Sequence, residues 1–443
     1  MKTTIRITQL FFGLLVSTLP LNIKAQAKIL TLDEAVRLGI ENSKQLKIAV
    51  TKVDIAHSKV TQFWNAATIP NVTLNSGYTR VSDNITPYSF TYPGATEATV
   101  LNPQVLNQFN NRLQVQQVVY AGGRGLNFFK SSELLEKVAS LDVEKDKIEV
   151  KNTLISAVLN LYKLQKIAVS LGENIKDLKG RLNDIQNFVK SGTAMENDAL
   201  KAELAITQVE TSQKEIENAI ELARFNLNLM LGLSPETVVA LDEKSLFVEK
   251  NLGSLSSYLT ALSTRPDLAA AAIRKQVAEK NIEVTKGAML PVVSVVAGYN
   301  ENRPNQRVFP QQNAFKGTWD AGIQVSYNLS NLYTTKFQVQ EANAALVQAD
   351  AQRAQLDDAA KMEVAAAFYA YNSATEKIKL SEKSIAQATE NQRVMKNRFD
   401  AKVATIGELL DSDFLVLQAK LNKEAVLTDA EIAYYKLLKA AGM

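Results

Sequence analysis

The sequence lacks cysteine altogether and is very poor in histidine and proline. Its 443 residues contain no cysteine, one histidine and ten prolines. The absence of cysteine excludes disulfides, thiolate metal sites and cysteine nucleophiles. The single histidine, His57, excludes multi-histidine zinc sites and the usual catalytic triads, although carboxylate or serine–lysine chemistry stays open. These shortages fit a protein without catalytic residues, metal site or cofactor, and we expect that the protein is not an enzyme.

The first 27 residues have the organisation of a secretory signal peptide. Lys2 and Arg6 precede an apolar run over residues 10–21, which is too short to span a membrane. Ala25-Gln26-Ala27 is a small-residue cleavage site, and cutting after Ala25 or after Ala27 fits equally well. No second run of 18 apolar residues follows, so we predict no transmembrane helix. An exported chain without disulfides or an anchor indicates the bacterial periplasm or outer membrane.

The net charge of +4 belongs largely to that leader. Residues 1–27 carry Lys2, Arg6 and Lys24 and no acid, which leaves 50 − 3 = 47 basic against 46 acidic residues. A formal charge of about +1 shows no basic excess of the kind that nucleic-acid binding requires. Nucleic acid is therefore excluded as a partner.

The prolines divide the chain into two similar halves. They fall in two clusters, Pro70, Pro87, Pro93 and Pro103, then Pro266, Pro291, Pro304 and Pro310, with Pro235 between them. Residues 104–234 and 311–443 contain none, which predicts very long helices. Residues 70–78 parallel 291–299 at an offset of 221, and 198–200 parallel 408–410 at an offset of 210. A tandem duplication explains these matches.

Apolar residues at spacings of three and four predict coiled-coil helices. Thr31-Leu32-Asp33-Glu34 fits a capping box. Ten positions over residues 32–63 then follow steps of three and four as one seam, eight of them apolar, with His57 beside it. A second helix is predicted over 124–189, roughly 100 Å long, with a break at Ser191-Gly192 and a return over 199–230. The second half repeats this over 374–399 and 405–439. Helices this long bury little surface alone, so assembly is predicted.

Four segments alternate apolar and polar residues with a period of two, as strands with one wet face do. They lie near residues 72–78, 113–119, 292–299 and 323–329. A small periplasmic sheet fits the alternation as well as membrane barrel staves do. Lengths near ten residues and irregular connections (82–110 and 301–318) at only one end favour the barrel. Four strands cannot close one, and open edges are not tolerated in hydrocarbon, so the strands must pair with copies of themselves.

The two tryptophans are predicted to lie near opposite ends of these strands. Trp64 precedes the first strand and Trp319 begins the last. This placement suits the aromatic girdles at the two interfaces of an outer-membrane barrel. Ordinary packing of both rings is the open alternative.

Three motifs resemble the TolC-like outer-membrane efflux proteins. They are Leu30-Thr31-Leu32-Asp33-Glu34-Ala35-Val36 followed by Glu41-Asn42-Ser43, then Leu231-Gly232-Leu233-Ser234-Pro235, and Thr264-Arg265-Pro266-Asp267-Leu268. The resemblance implies a mainly α protein with membrane β structure: a homotrimer whose chains each give four strands to one 12-stranded barrel. Its helices would form an α-barrel tunnel across the periplasm, with a mixed belt from about 234–262 and the chain ends.

The same resemblance implies function, location and organisation. Such proteins are passive exit ducts of tripartite efflux or type I secretion systems in the Gram-negative outer membrane. An inner-membrane pump and a periplasmic adaptor supply energy and choose the cargo, so the exported substrate is not identified by this chain. The expected organisation is signal peptide 1–27, first repeat 28–234, connecting segment 235–262 and second repeat 263–443.

The family's periplasmic gate is aligned here with four residues. Glu408 and Asp411 match a pair of acids, Asp198 a first-repeat acid and Phe399 an aromatic residue. Three copies of the acid pair would place six carboxylates around the opening, and acid rings favour cations. The alternative is helix capping, since Thr405 with Glu408 fits a capping box and Asp198 lies in a first turn. Capping does not account for Asp411.

Two departures from the family pattern bear on that gate. Ala404 stands where the family has its gating arginine, and Lys402 where it has a usual glycine. The closing links of the family are therefore not predicted for this chain.

Two other classes of protein remain as alternatives. A periplasmic or surface coiled-coil scaffold without a pore explains the heptads but not the duplicated amphipathic strands. The second is an enzyme, for which the sequence offers one glycine-rich segment at a strand-to-helix junction. That segment, Gly122-Gly123-Arg124-Gly125, lacks the lysine of a phosphate loop and the dinucleotide spacing. A flexible corner between a strand and a helix is the better interpretation of these glycines.

Overall fold

The computed structural model describes residues 28–83, 86–101, 104–247, 250, 252–309 and 311–443. The predicted signal peptide and its cleavage sites lie outside these residues. The first half contains β1 (Lys28–Leu30), α1 (Leu32–Asn42), α2 (Lys44–Thr68), β2 (Asn71–Arg80), β3 (Ser89–Phe90), β4 (Thr99–Val100), β5 (Asn107–Tyr120), α3 (Arg124–Lys190) and α4 (Glu196–Leu231). The second contains β6 (Val239–Leu241), α5 (Glu243–Leu246), α6 (Leu255–Ala261) with a 3-10 turn (Leu262–Thr264), α7 (Pro266–Gly287), β7 (Val292–Asn302), β8 (Lys316–Ser326), α8 (Asn331–Asp400) and α9 (Ile406–Ala441).

The long helices form where the prolines are missing. Helix α3 has 67 residues and α8 has 70, so each is roughly 100 Å long at 1.5 Å per residue. Both predicted returns are confirmed as α4 and α9, which have 36 residues each. The break predicted at Ser191-Gly192 is also confirmed, with Gly192 in the left-handed region at a φ of 71°.

The first helix differs from the prediction of one unbroken seam over 32–63. The chain leaves the helical conformation at Ser43, whose ψ is 114°, so α1 ends there and α2 begins. The Ser43 hydroxyl accepts the Leu46 N–H at 3.2 Å, and Thr31 accepts the Glu34 N–H at the start of α1. A serine that can cap a new helix stabilises this interruption. His57, on α2, is exposed and lies 2.9 Å from a Glu136 oxygen.

Helix α3 also qualifies the prediction that no helix could span a membrane. An 18-residue window within it reaches a mean hydropathy of 1.2 with few charges. The apolar residues of α3 form part of the main core cluster, including Leu154, Ile155, Val158, Leu159 and Leu161. Of this window, 39% is buried within the chain. We interpret this part as packing surface, because the core helices of soluble proteins pass the same hydropathy test.

All four predicted strands are present in one antiparallel sheet. The order is β2-β5-β7-β8, which leaves β2 and β8 as edges within the chain. The last strand ends at Ser326, earlier than the predicted 329, so Tyr327 and Leu329 lie in the connection to α8. The sheet stands at one end of the long helices, and the two helical turns at 191–195 and 401–405 stand at the other.

The predicted duplication extends to the way each repeat closes. Helices α4 and α9 correspond residue for residue at an offset of 210, and both end at a left-handed glycine, Gly232 and Gly442. A β-carbon on Gly232 would meet Asn42, and one on Gly442 would meet Arg265. The Asn42 amide donates to the Leu231 carbonyl, and Arg265 donates to the Ala440 carbonyl. Each repeat therefore fastens its last helix to its own beginning.

A small mixed layer lies beside the middle of the helices. Strand β1 pairs in parallel with β6, and α6 packs with the end of α9 in a cluster that includes Tyr258, Leu262 and Leu437. The resemblance implied a belt from 234–262 and the chain ends, and these are the segments that meet here.

Candidate functional site

One face of the sheet is apolar and exposed from edge to edge. The strand register aligns Leu74, Leu113, Tyr299 and Trp319 in one row across all four strands. Their exposed fractions run from 42% to 78%, and further along the same face Val295, Ile323 and Val325 are equally open. A contiguous apolar surface of this extent does not face water in a soluble monomer. It has the character of the lipid-facing side of a membrane barrel.

Aromatic rings lie at both ends of that face. At the loop end, Phe109 packs between Tyr78 and Phe315, with ring centroids 5.0 and 5.4 Å away. At the helix end, Phe63 stacks on Phe128 at 5.7 Å. The sequence prediction named only the two tryptophans and missed these rings. Alternation along β2 and β5 could have found Tyr78 and Phe109, whereas Phe63 and Phe128 lie on helices.

The structure places the two tryptophans at different kinds of position. Trp64 lies on α2 rather than on a strand, 53% exposed, with its ring 5.2 Å from that of Phe129. Trp319 is the fourth residue of β8, 78% exposed, and pairs with Tyr299 toward the loop end. Their role at the membrane interface stays a prediction.

The opposite face of the sheet is polar and internally hydrogen-bonded. Arg112 on β5 donates to Asn300 on β7 at 3.1 Å and to Asp320 on β8 at 3.3 Å. Deeper along the sheet, Gln116 donates to the Ser294 hydroxyl at 3.4 Å. A sheet with one lipid-type face and one hydrogen-bonded polar face has the two surfaces that a water-filled barrel requires.

At the far end of the helices, the two hairpins pack against each other. Ile185 and Ala202 of the first hairpin are buried against Ile406 and Leu409 of the second. The predicted gate residue Phe399 belongs to this cluster and meets the Phe188 ring edge-on at 6.2 Å. The cluster joins the two halves of the duplication at the tip.

The acids assigned to the gate occupy different environments. Glu408 accepts the Thr405 N–H at 2.7 Å and its hydroxyl at 3.0 Å, and Asp198 accepts the Met195 N–H at 3.2 Å. These bonds are the capping contacts that were the alternative interpretation. The hydrogen bonds from Thr405 hold the pKa of Glu408 below its usual value. Asp411, three residues along α9, is exposed at the surface.

A buried ion pair above the tip was not predicted. Asp413 on α9 is 3% exposed and pairs with Arg181 on α3, whose Nη2 lies 2.8 Å from a carboxylate oxygen. The Gln392 amide of α8 donates to the same carboxylate at 2.6 Å. The sequence does hold a sign of it, because Asp413 takes the place of an apolar residue midway between Leu409 and Leu417 on the buried side of the helix. Among the described residues, no group of three or more His, Asp or Glu side chains is arranged to hold a metal ion.

The two tip turns share one backbone geometry but not one sequence. Lys402 has a φ of 62° and lies 210 residues after Gly192, which has a φ of 71°. The corresponding hydrogen bonds match, from Val403 to the Arg398 carbonyl and from Thr193 to the Phe188 carbonyl. Lysine is strained in this region, whereas glycine is not.

We therefore expect Lys402→Gly to stabilise the tip by about 1 kcal/mol. Gly192→Ala is expected to destabilise the equivalent turn by a similar amount, because alanine brings back the steric penalty. Thermal unfolding of both variants measures the effect. Shifts of the same sign in the two variants would contradict the assignment.

The comparisons with known proteins agree with this geometry. Residues 258–443 match the family model "Outer membrane efflux protein". An uncharacterized protein of Haemophilus influenzae is 21% identical over 320 residues, 70% of each chain. The family-model match confirms the resemblance stated from the motifs, from which the outer-membrane location was inferred.

Solved structures share the fold at low sequence identity. The outer membrane protein VceC of Vibrio cholerae superposes with a TM-score of 0.75 at 16% identity, covering 93% of this chain and 96% of VceC. The open state of the MtrE outer membrane channel of Neisseria gonorrhoeae gives 0.75 at 17%, covering 93% and 89%. At these identities the match shows the fold alone, which this chain shares with both outer-membrane proteins.

Proposed function

We propose that this chain, which resembles the TolC-like efflux proteins and matches the outer membrane efflux protein model over residues 258–443, is the subunit of an outer-membrane exit duct. Three copies form one 12-stranded barrel continued by a helical tunnel through the periplasm. The observation that carries the proposal is the two-faced sheet with unpaired edges, joined to helices roughly 100 Å long. A sheet of this kind is complete only when other strands close it.

The number of strands is compatible with three copies, and the resemblance to the TolC-like proteins favours three over two. Strands β2 and β8 each have one free edge, so β8 of one chain can pair with β2 of the next. Two chains would give eight strands and three give twelve, both allowed for membrane barrels. Exposed apolar side chains along the outer helices provide the contacts between neighbours, among them Leu200, Leu204, Leu222 and Leu229 on α4 and Val347, Met362, Tyr369 and Leu380 on α8.

The proposed duct is passive and works with partners. A periplasmic adaptor and an inner-membrane pump supply energy and select the cargo in a tripartite efflux or type I secretion system. The two hairpins at the tip face the periplasmic side, where such partners would dock. No catalytic role is proposed for any residue.

Electrophoresis and planar-bilayer recording together test the proposal. The membrane-extracted protein is expected to migrate as a trimer without heating and as a monomer after boiling. The trimer is expected to form conducting channels in a bilayer. A soluble periplasmic monomer that conducts no ions would refute the duct and favour the coiled-coil scaffold.

A gate at the tip is the second part of the proposal, built from Asp198, Phe399, Glu408 and Asp411. Since Glu408 and Asp198 also cap helices, Asp411 is the acid whose charge can be changed without loss of a cap. Asp411→Asn removes three carboxylates from the opening of a trimer, so cation preference should fall.

The measurement is the cation-to-anion permeability ratio in planar bilayers. Asp411→Glu is the matched control, because it retains the charge and should keep the wild-type ratio. An unchanged ratio in Asp411→Asn would remove Asp411 from the gate.

A further inference from the structure

The connection after β7 folds back across the polar face of the sheet. Asn305 is 2% exposed, and its amide donates to the Lys316 carbonyl at 2.7 Å and to the Thr318 hydroxyl at 3.1 Å. The Arg307 N–H donates to the Asn305 side-chain oxygen at 3.0 Å, which turns the chain toward the sheet. Thr318 lies on the face opposite Trp319, so residues 304–309 lie on the polar side.

Asp320 holds this segment in place. Its carboxylate accepts Arg307 at 2.7 Å, Asn300 at 3.1 Å and Arg112 at 3.3 Å. The network thus joins three strands to the connection that follows β7. Asn300 is only 5% exposed beneath it. A β-carbon at Gly298 would lie 3.0 Å from Arg112 Nη2, so glycine leaves room for the arginine to lie flat on the sheet.

The charges of this network do not cancel. Arg112 and Arg307 carry two positive charges against the single carboxylate of Asp320. Lys316 stands on the same face at the start of β8. Three copies would therefore place a ring of excess positive charge where the loops leave the barrel. A charged ring at a narrow point of a pore selects ions of opposite sign.

We propose that residues 304–309, held by the Arg307–Asp320 ion pair, form a constriction at the outer mouth of the barrel that favours anionic solutes. This inference rests on the proposed function, because the polar face lines a lumen only in a closed barrel. The constriction lies at the opposite end of the duct from the acidic tip, so the two ends have opposite charge.

Bilayer recordings of Arg307→Ala test the constriction. Loss of the ion pair releases the segment and removes three positive charges from the ring, so conductance should rise and the permeability ratio should shift toward cations. Arg307→Lys keeps the charge and should keep the wild-type ratio. Migration of the unheated protein as a trimer verifies that each variant folds and assembles.

Arg303→Ala is the matched control on the same connection. The Arg303 side chain donates to Asn313 at 2.8 Å and lies 6.0 Å from the Phe315 ring, which packs on Phe109 at the apolar face. Loss of that charge should leave conductance and selectivity unchanged. If Arg307→Ala also has the conductance and selectivity of a wild-type protein that conducts, the proposed constriction is refuted, but the proposed duct is not.

Cysteine chemistry gives a second measurement, since the chain has no native thiol. In Arg307→Cys trimers, a charged methanethiosulfonate should reduce the current, and an anionic reagent should react faster than a cationic one near Arg112 and Lys316. Arg303→Cys should show no change in current. If the reagents leave the current unchanged in both cysteine variants, and both variants conduct, residues 304–309 lie outside the lumen.

Discussion

Ile323→Arg is expected to destabilise the assembled protein by about 2–4 kcal/mol, the cost of arginine near the middle of a barrel's lipid face. Ile323 lies in the interior of β8, 74% exposed, in the same alternating set as Trp319 and Val325. Arginine there would have to leave hydrocarbon or pull water into it. The effect tests which face of the sheet contacts lipid.

Gln324→Arg supplies the control one residue along the same strand. Its side chain belongs to the polar face, so the charge would enter water and the cost should stay small. The temperature at which the trimer dissociates in gels, or its unfolding in lipid vesicles, measures both variants. Equal destabilisation by the two substitutions would show that the apolar face of β8 is not in lipid.

Arg265→Ala is expected to cost about 2–3 kcal/mol, somewhat less than the loss of one partner from a fully buried ion pair, because Arg265 and Asp267 are partly exposed. The side chain is 13% exposed and binds Asp267 with two hydrogen bonds of 2.9 and 2.7 Å. It also pairs with Glu363 on α8 and caps the Ala440 carbonyl at the end of α9. Its loss leaves Asp267 buried without its cation and releases the end of the last helix.

The same network makes stability depend on pH. Burial pushes the pKa of Asp267 upward, but the hydrogen bonds and charge of Arg265 hold that pKa below its usual value. The contribution of the pair is therefore present at neutral pH and is lost as the pH falls through the depressed pKa of the folded state. In Arg265→Ala, the free energy of unfolding should therefore fall less steeply as the pH is lowered.

Arg274→Ala is the comparison for this prediction, because it removes an arginine from α7, the helix that Arg265 directly precedes. Arg274 pairs with Asp142 at 2.9 Å, but the two side chains are 49% and 43% exposed. An exposed pair of this kind contributes at most about 1 kcal/mol. Chemical unfolding of both variants measures the difference, and equal losses would contradict the role of Arg265 as the fastening of the repeat.

The long helices could be predicted because their signals are local and repeated. Two stretches without proline and a seam of apolar residues are enough to define α3, α4 and α9. The break at Ser43 could not be predicted in this way. A serine within a helical pattern either points to solvent or caps a new helix, and the packing around it decides between these.

The site was predictable only in its coarse features. Alternation identified the strands and their two faces, since a period of two is a property of the backbone. The ion pair between Arg307 and Asp320 depends on how an irregular connection folds, for which the sequence holds no periodic signal. The roles of Glu408 and Asp411 differ because one is within reach of the Thr405 N–H and the other is not.

The equal lengths of α4 and α9 restrict which insertions and deletions the long helices can accept. Both have 36 residues, and both hairpins end at matching turns. An insertion of seven residues in one long helix would preserve its seam but lift one hairpin above the other by about 10 Å. The two turns at the tip would stay at the same height only if α3, α4, α8 and α9 lengthened together. In the proposed duct, the four helices together set how far the tunnel extends into the periplasm, and this distance can change only if all four helices change in length together.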